Sequence, residues 1–355
     1  MTWKRDNRRM PGRDPAHITP LPPQAPAPAR AQGWGASLWR GAPNPRAKLA
    51  VIVLVPTIVW FVVLQFGPIV EAMWFAFFHV DLTNMSLWDA LWNSPFDGLL
   101  RFQHLFDPEL NPEFWPGALH SAIWTVLQFL FVIPLGLLLS LAMAKVGRGR
   151  RFYQIAIFVP VVTPLVAIGL MMGKVFDPEA GPANGLLRAL GLPTSAWFHD
   201  PTIALPLAAA IGAWRWMGLY VLILTAGILN IPRDIDEAAQ VDGAGAWRRF
   251  WKVTLPLLGH VLALVMVLLL VNSAQEYTLP YTLGGGVQQA QLTYGASPDY
   301  GNKALVLLNL ALFKQAFGGS FLTLGPASAG ALLEFGVVLV VSVVLLRIFR
   351  PTWSY

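Results

Sequence analysis

The chain has 355 residues, 55% of them hydrophobic and 12% charged, with a net charge of +6 and no cysteine. A soluble domain carries about 25% charged residues, so a water-soluble fold would leave too much apolar surface bare, and a bilayer is the natural solvent. Without cysteine there are no disulfides and no thiolate metal sites.

Residues 1–48 are rich in Pro, Ala and Arg and have little to bury, which predicts a disordered tail. No short apolar core with a small-residue cleavage site follows the basic start, so no signal peptide is read. The stretch WGASLWR, Trp34–Arg40, reads as a linker or as a segment resting on the membrane surface.

Six apolar runs follow, near 49–74, 119–143, 155–176, 203–228, 256–278 and 328–349. Each has about twenty residues or more, which at ~1.5 Å per residue crosses a ~30 Å hydrocarbon layer. Pro56, Pro134, Pro160 and Pro164 fall inside them, as membrane helices tolerate. The expected fold is all-α, with six transmembrane helices. A shorter apolar stretch, ALVLLNLALF at 304–313, lies in the expected outer loop 279–327. It reads as a helix packed on the outer face or re-entering the membrane, with a seventh span as the alternative.

Lys and Arg set the orientation. The tail, the connection with Lys145, Arg148, Arg150 and Arg151, the connection with Arg233, Arg248, Arg249 and Lys252, and the end with Arg347 and Arg350 are basic. The connection after the first run has only Arg101 against six acids. Six spans with both termini in the cytoplasm satisfy these asymmetries, and nucleic-acid binding is not needed to explain the charge.

The cytoplasmic stretch IPRDIDEAAQVDGAGAWRRFWKVTLPLL, from Ile231, is then singular. Pro232 suits a first helical turn, and Asp234 and Glu237 have the spacing of a capping pair. Ala238, Ala239, Gly243, Ala244 and Gly245 leave a surface almost without side chains. Gly243 is expected to end or bend the first helix. Trp247, Phe250 and Trp251 repeat at helical spacing up to Pro256, expected to close the second helix. The residues alone allow two readings: a knob for a partner's groove, or an interfacial hairpin with Trp at the headgroups.

The stretch resembles the EAA loop of ATP-binding-cassette importer permeases: Glu-Ala-Ala, three residues, Gly, nine residues, Ile, one residue, Leu-Pro. Here it reads Glu237-Ala238-Ala239, Gly243, Val253 and Leu255-Pro256, with Val for Ile. RFQHLFDPELNPEFWPGALHSAIWTV and RRFYQIAIFVPVVTPLVAIGLMMGKVFDPEAGPANGLLRALGL are similar to further parts of carbohydrate permeases, and the likeness to the MalF-type subunit covers roughly 50–350. Gly284-Gly285-Gly286 stands where that family has Gly-Gly-Pro, and the polar stretch 287–303 is long.

The resemblance implies the type I importer permease fold in a bacterial-type inner membrane, with 231–256 as the cytoplasmic coupling loop. Glu237, Ala238, Ala239, Asp242 and Gly243 would dock on an ATPase subunit. It further implies two ATPase subunits carrying ATP and Mg, a second and different permease, an extracytoplasmic solute-binding protein, and no cofactor on this chain. The matching absence is of a phosphate-binding Gly-x-x-x-x-Gly-Lys-Ser/Thr: Gly173-Lys174 is followed by Val175.

Polar groups inside spans are functional candidates by cost. In the fifth run these are Asn272, Ser273, Gln275 and Glu276; Asn272 and Ser273 fall where similar sugar permeases contact ligand. In the fourth, Arg215 lies near mid-depth among Gly212, Trp216 and Leu219, positions that line the pathway by resemblance. Arg215 either pairs with Glu71, Glu276 or Glu334 or recognises substrate. Gln128 and Thr163 are weaker candidates. The expected function is sugar import; the alternatives are a permease for glycerophosphodiesters or another anion, and an intramembrane enzyme built on Glu276, Glu334 and Arg215.

Overall fold

The computed structural model describes residues 45–79, 86, 89, 92–284, 303–317 and 324–349. The expected tail through residue 44 and most of the polar stretch 287–303 lie outside them. The described residues form helices, with a single isolated antiparallel bridge from Phe78 to Phe96. Among the described residues four helices are long and apolar enough to cross a membrane, and two bent helix pairs bring the number to six if each pair is one span.

Helix α1, Pro45–Phe77, runs through the boundary between two compact units, Met1–Leu64 and Gln65–Tyr355. From Leu49 to Leu64, its part in the first unit is apolar on every side, with Ile52, Trp60 and Val63 exposed. A helix greasy all round suits lipid, and Pro56 does not interrupt it.

In the second unit come α2 (Leu100–Phe106), α3 (Phe114–Lys145), α4 (Arg150–Val162), α5 (Leu165–Val175), α6 (Pro182–Ala189) and α7 (Pro201–Leu229). α7 is the central element: α3 and α4 both pack along it. Small residues permit this. A Cβ on Gly218 would stand 2.3 Å from the Ile157 carbonyl oxygen of α4, so only a bare backbone allows the approach. Asp200 starts α7, its carboxylate accepting from the Thr202 N–H at 2.8 Å and hydroxyl at 2.7 Å, with Pro201 in the first turn. The Thr202 hydroxyl bond, aided by the backbone N–H, holds this carboxyl below the usual aspartate range. Buried Asn184 of α6 ties down the loop before α7, accepting from Ser195 N–H and Trp197 Nε1 and donating to the Pro178 and Ser195 carbonyls.

The third expected span is not one rod. α4 continues through Pro160 but ends before Pro164, and α5 leaves at 93°. Thr163 has φ −72 and ψ 133, the extended conformation that a following proline imposes.

The chain then forms α8 (Arg233–Val241), α9 (Ala246–Leu257), α10 (Gly259–Ala274) and α11 (Thr278–Leu283). The fifth expected span is therefore split. α10 has 16 residues, about 24 Å of rise, and the polar residues Gln275–Tyr277 separate it from α11. α11 packs on α5.

After a short turn at Lys303–Leu305, α12 (Leu308–Phe317) packs on α3 and on α13 (Leu324–Ile348). Ser121 on α3 accepts its first N–H, from Leu308, at 2.8 Å. The short apolar stretch is thus a packed helix and not a span, and its Leu310, Ala311 and Leu312 are buried.

Candidate functional site

The α8–α9 hairpin is built by local chemistry. The expected capping pair does not form: Pro232 occupies the cap position and offers no side-chain acceptor. Asp234 and Asp236 in the first turn instead favour α8 through its dipole. At the other end Gly243 N–H donates to the Gln240 carbonyl and Ala244 N–H to the Ala239 carbonyl, both at 3.0 Å. This Schellman pair needs a left-handed residue, and Gly243 has φ +73. Space around Gly243 is open, so the demand comes from the backbone and not from packing.

Asp236 joins the two arms. One carboxylate oxygen lies 3.3 Å from Arg249 Nε and the other accepts from Gln240 Nε2 at 2.9 Å. The Arg249 contact is an ion pair without aligned hydrogen-bond geometry. On α9, Trp251 meets Trp247 and Phe250 edge-on, with ring centroids 5.6 and 5.2 Å away. Its middle, Phe250–Thr254, is a wide π-helical turn, with Leu255 N–H reaching back to the Phe250 carbonyl. Pro256 was expected to close this helix but lies within its last segment; the wide turn accommodates the missing N–H, and the 71° bend follows at Leu258–Gly259. Glu237, Ala238, Asp242 and Gly243 are exposed and Ala239 is half-buried. Val241 is 88% exposed and Trp247 75%, so the tip offers apolar surface that the chain itself does not cover.

The second locus is the seam where α7 meets α10. Asn272 Nδ2 donates to the buried Tyr220 hydroxyl at 3.1 Å, linking the two helices. Arg215, the middle residue of α7, lies with its guanidinium carbon 4.2 Å from the Trp216 ring centroid. Tyr220 and Glu276 lie within its electrostatic reach. The expected ion pair with Glu71, Glu276 or Glu334 is absent among the described residues, and Arg215 Nε and Nη1 are enclosed without a hydrogen-bond partner. Glu276 is engaged elsewhere, accepting the Leu279 N–H at 3.0 Å where α11 begins.

The structure therefore brings Trp216, Tyr220 and Glu276 near Arg215, with Asn272 bonded to Tyr220. It turns others away. Ser273 is buried and donates to the Leu269 carbonyl one turn back. Gly212 faces α3, where a Cβ would meet Gln128 Nε2 at 2.8 Å and the Trp124 ring at 3.1 Å. Leu219 is half-buried and Gln275 exposed. Gln128 is buried, donating to the Ala209 carbonyl at 2.9 Å, and Thr163 donates to the Val159 carbonyl. Sequence reasoning missed Tyr220; its position four residues after Trp216, on the same helical face, was the available signal.

Residues 132–354 match the family described as "Binding-protein-dependent transport system inner membrane component". The chain belongs to this family. Among relatives, the sulfoquinovosyl glycerol transport permease SmoG of Agrobacterium fabrum is 29% identical, over 85% of this chain and 90% of its own. The arabinooligosaccharide transport permease AraP of Bacillus subtilis is 26% identical, over 91% and 94%. A chain of a bacterial ABC transporter that imports the acidic polysaccharide alginate has the same fold, with a TM-score of 0.66, 22% identity, and coverage of 87% and 97%. The protein is thus a multi-pass membrane permease with the type I ABC importer fold, a transport component. Transport fits these comparisons better than the reading of Glu276, Glu334 and Arg215 as an intramembrane catalytic group.

Proposed function

We propose that this permease is one subunit of an ATP-driven sugar importer that moves its solute by alternating access. The observation that carries the coupling is the α8–α9 hairpin: a Schellman-closed turn at Gly243, an arm of small and acidic residues, and an apolar tip left uncovered. In this reading Glu237, Ala238, Ala239, Asp242 and Gly243 seat in a cleft of an ATPase subunit. Two such subunits bind ATP and Mg; this chain binds neither. A second, different permease completes the passage, and an extracytoplasmic solute-binding protein delivers the sugar. The six spans are α1, α3, α4 with α5, α7, α10 with its flanking bends, and α13, with both termini cytoplasmic. The Lys and Arg distribution supports this orientation.

The solute passes along the α7–α10 seam. Arg215, Trp216, Leu219, Asn272 and Glu276 are its contact candidates, with Gly212, Ser273 and Gln275 on the adjoining turns. Sugar-containing solutes in the names of the two relatives favour a sugar over a glycerophosphodiester.

The test is uptake against ATP hydrolysis in the complex co-purified from native membranes and reconstituted. Glu237→Lys and Gly243→Asp leave the chain inserted but reduce ATP-dependent uptake to below about a tenth of wild type, a coupling loss in the usual range. Wild-type uptake by either variant contradicts the docking role.

A further inference from the structure

We propose that the unpaired guanidinium of Arg215 makes this passage selective for acidic sugars, with the carboxylate or sulfonate of the solute as its missing partner. This rests on the sugar-import reading of the seam and names the class of sugar.

Four other cations among the described residues are shielded from solvent, and each has a partner. Arg101 Nη2 lies 3.0 Å from Asp97 and 2.8 Å from His79 Nδ1. Arg150 donates to the Val146 and Ala144 carbonyls at 3.0 and 3.1 Å, satisfying the end of α3. Arg249 pairs with Asp236, and Lys314 with Glu113 at 2.6 Å. These are cations used to hold structure. Arg215 has no such arrangement, although it lies about 21 Å of helical rise from either end of α7. At that depth water and lipid headgroups are poor substitutes, and intramembrane cations normally pair with carboxylates or carbonyls.

The geometry shows which direction remains for a partner. Trp216 covers one face of the guanidinium at 4.2 Å. A cation over a ring uses its face and leaves its N–H edge free. Nε and Nη1 have no acceptor among the described residues but are enclosed by the chain itself, so a solute oxyanion meets the half-exposed group at Nη2, through a charge-assisted hydrogen bond. Glu276 is the acid closest in effect, but it makes no ion pair with Arg215 among the described residues, and its Oε1 takes the Leu279 N–H. Asn272, half-buried on the same seam and held by its bond to the buried Tyr220 hydroxyl, supplies an amide of the kind that exchanges bonds with sugar hydroxyls. A cation, an aromatic ring and a neutral amide together match a hydroxylated ring with one anionic substituent. A neutral sugar leaves the guanidinium unanswered.

The measurement is saturation-transfer NMR on the co-purified transporter in nanodiscs, without binding protein or nucleotide. The probes are matched pairs of methyl pyranosides and methyl pyranosiduronates in the gluco, galacto and manno series, with inorganic phosphate as a separate arm. The expected result is that in at least one series the uronate binds about tenfold more tightly than its neutral partner. Arg215→Gln brings that ratio near one, and Arg215→Lys restores most of it, which a purely structural arginine would not do. Equal binding of the paired sugars by wild type, or an unchanged ratio in Arg215→Gln, overturns the acidic class and leaves sugar import standing. Binding of phosphate as strongly as the uronates overturns it by reducing the site to a general anion hole. Binding of no pyranoside overturns both this proposal and the sugar reading.

Discussion

Asn272 and Tyr220 show how a residue-scale contact can join two helices inside a membrane. Their 3.1 Å hydrogen bond is the polar tie between α7 and α10 at the seam. Such ties contribute about 0.6 kcal/mol on average and seldom more than about 1.7. A double-mutant cycle of Tyr220→Phe and Asn272→Ala, followed by thermal unfolding in detergent, should therefore give a coupling energy of about 0.5–1.5 kcal/mol. Additive single effects contradict the tie. The sequence showed Asn272 because an amide in an apolar run is conspicuous. It did not show Tyr220, since tyrosine is unremarkable in membrane helices and its partner lies 52 positions away. For the same reason the fate of Arg215 was not legible. Several acids sat at plausible depths, and only the fold shows that Glu276 bonds its own following turn. Gly243, by contrast, was readable, because the end of a short helix before small residues places a local demand on the backbone that glycine meets.

At the scale of elements, apolar length was legible and direction was not. The runs near 49–74, 119–143, 203–228 and 328–349 each became one helix. The third and fifth became bent or broken pieces. Four prolines carried the same local signal, yet α1, α3 and α4 run through Pro56, Pro134 and Pro160. Only at Pro164 does the chain turn, where α5 is free to leave and pack against α11. That choice is tertiary and has no counterpart in the local sequence. The close crossing of α4 on α7 is equally tertiary. Gly218→Ala forces a methyl against the Ile157 carbonyl, and overpacking of this kind costs about 1–3 kcal/mol. The variant should show a lower unfolding temperature in detergent. Gly185→Ala, at a position with nothing nearby, should not. Equal behaviour of the two would show that the α4–α7 approach is not tight in the folded protein.

At the scale of the molecule, the exposed apolar surface divides into two kinds. Along α1 and α13 it is continuous, as in Trp60, Phe61, Phe335 and Val340, and suits hydrocarbon or a second permease. At the α8–α9 tip it is small and set among charges, as in Val241 beside Asp242, and suits a protein cleft in water. The first kind follows from composition alone. The second was suggested by the Glu-Ala-Ala spacing and acquired its form from the Schellman turn and the Asp236–Arg249 pair. The central claim is that this tip passes mechanical work from an ATPase to the seam. Photo-cross-linking from a benzophenone amino acid placed at position 241 tests it most directly, since Val241 is 88% exposed and bears on no packing. In native membranes the account predicts one dominant adduct, with an ATPase subunit, whose yield changes between nucleotide-free and ATP-bound conditions. Adducts with lipid alone, or none with an ATPase under any nucleotide condition, would contradict it.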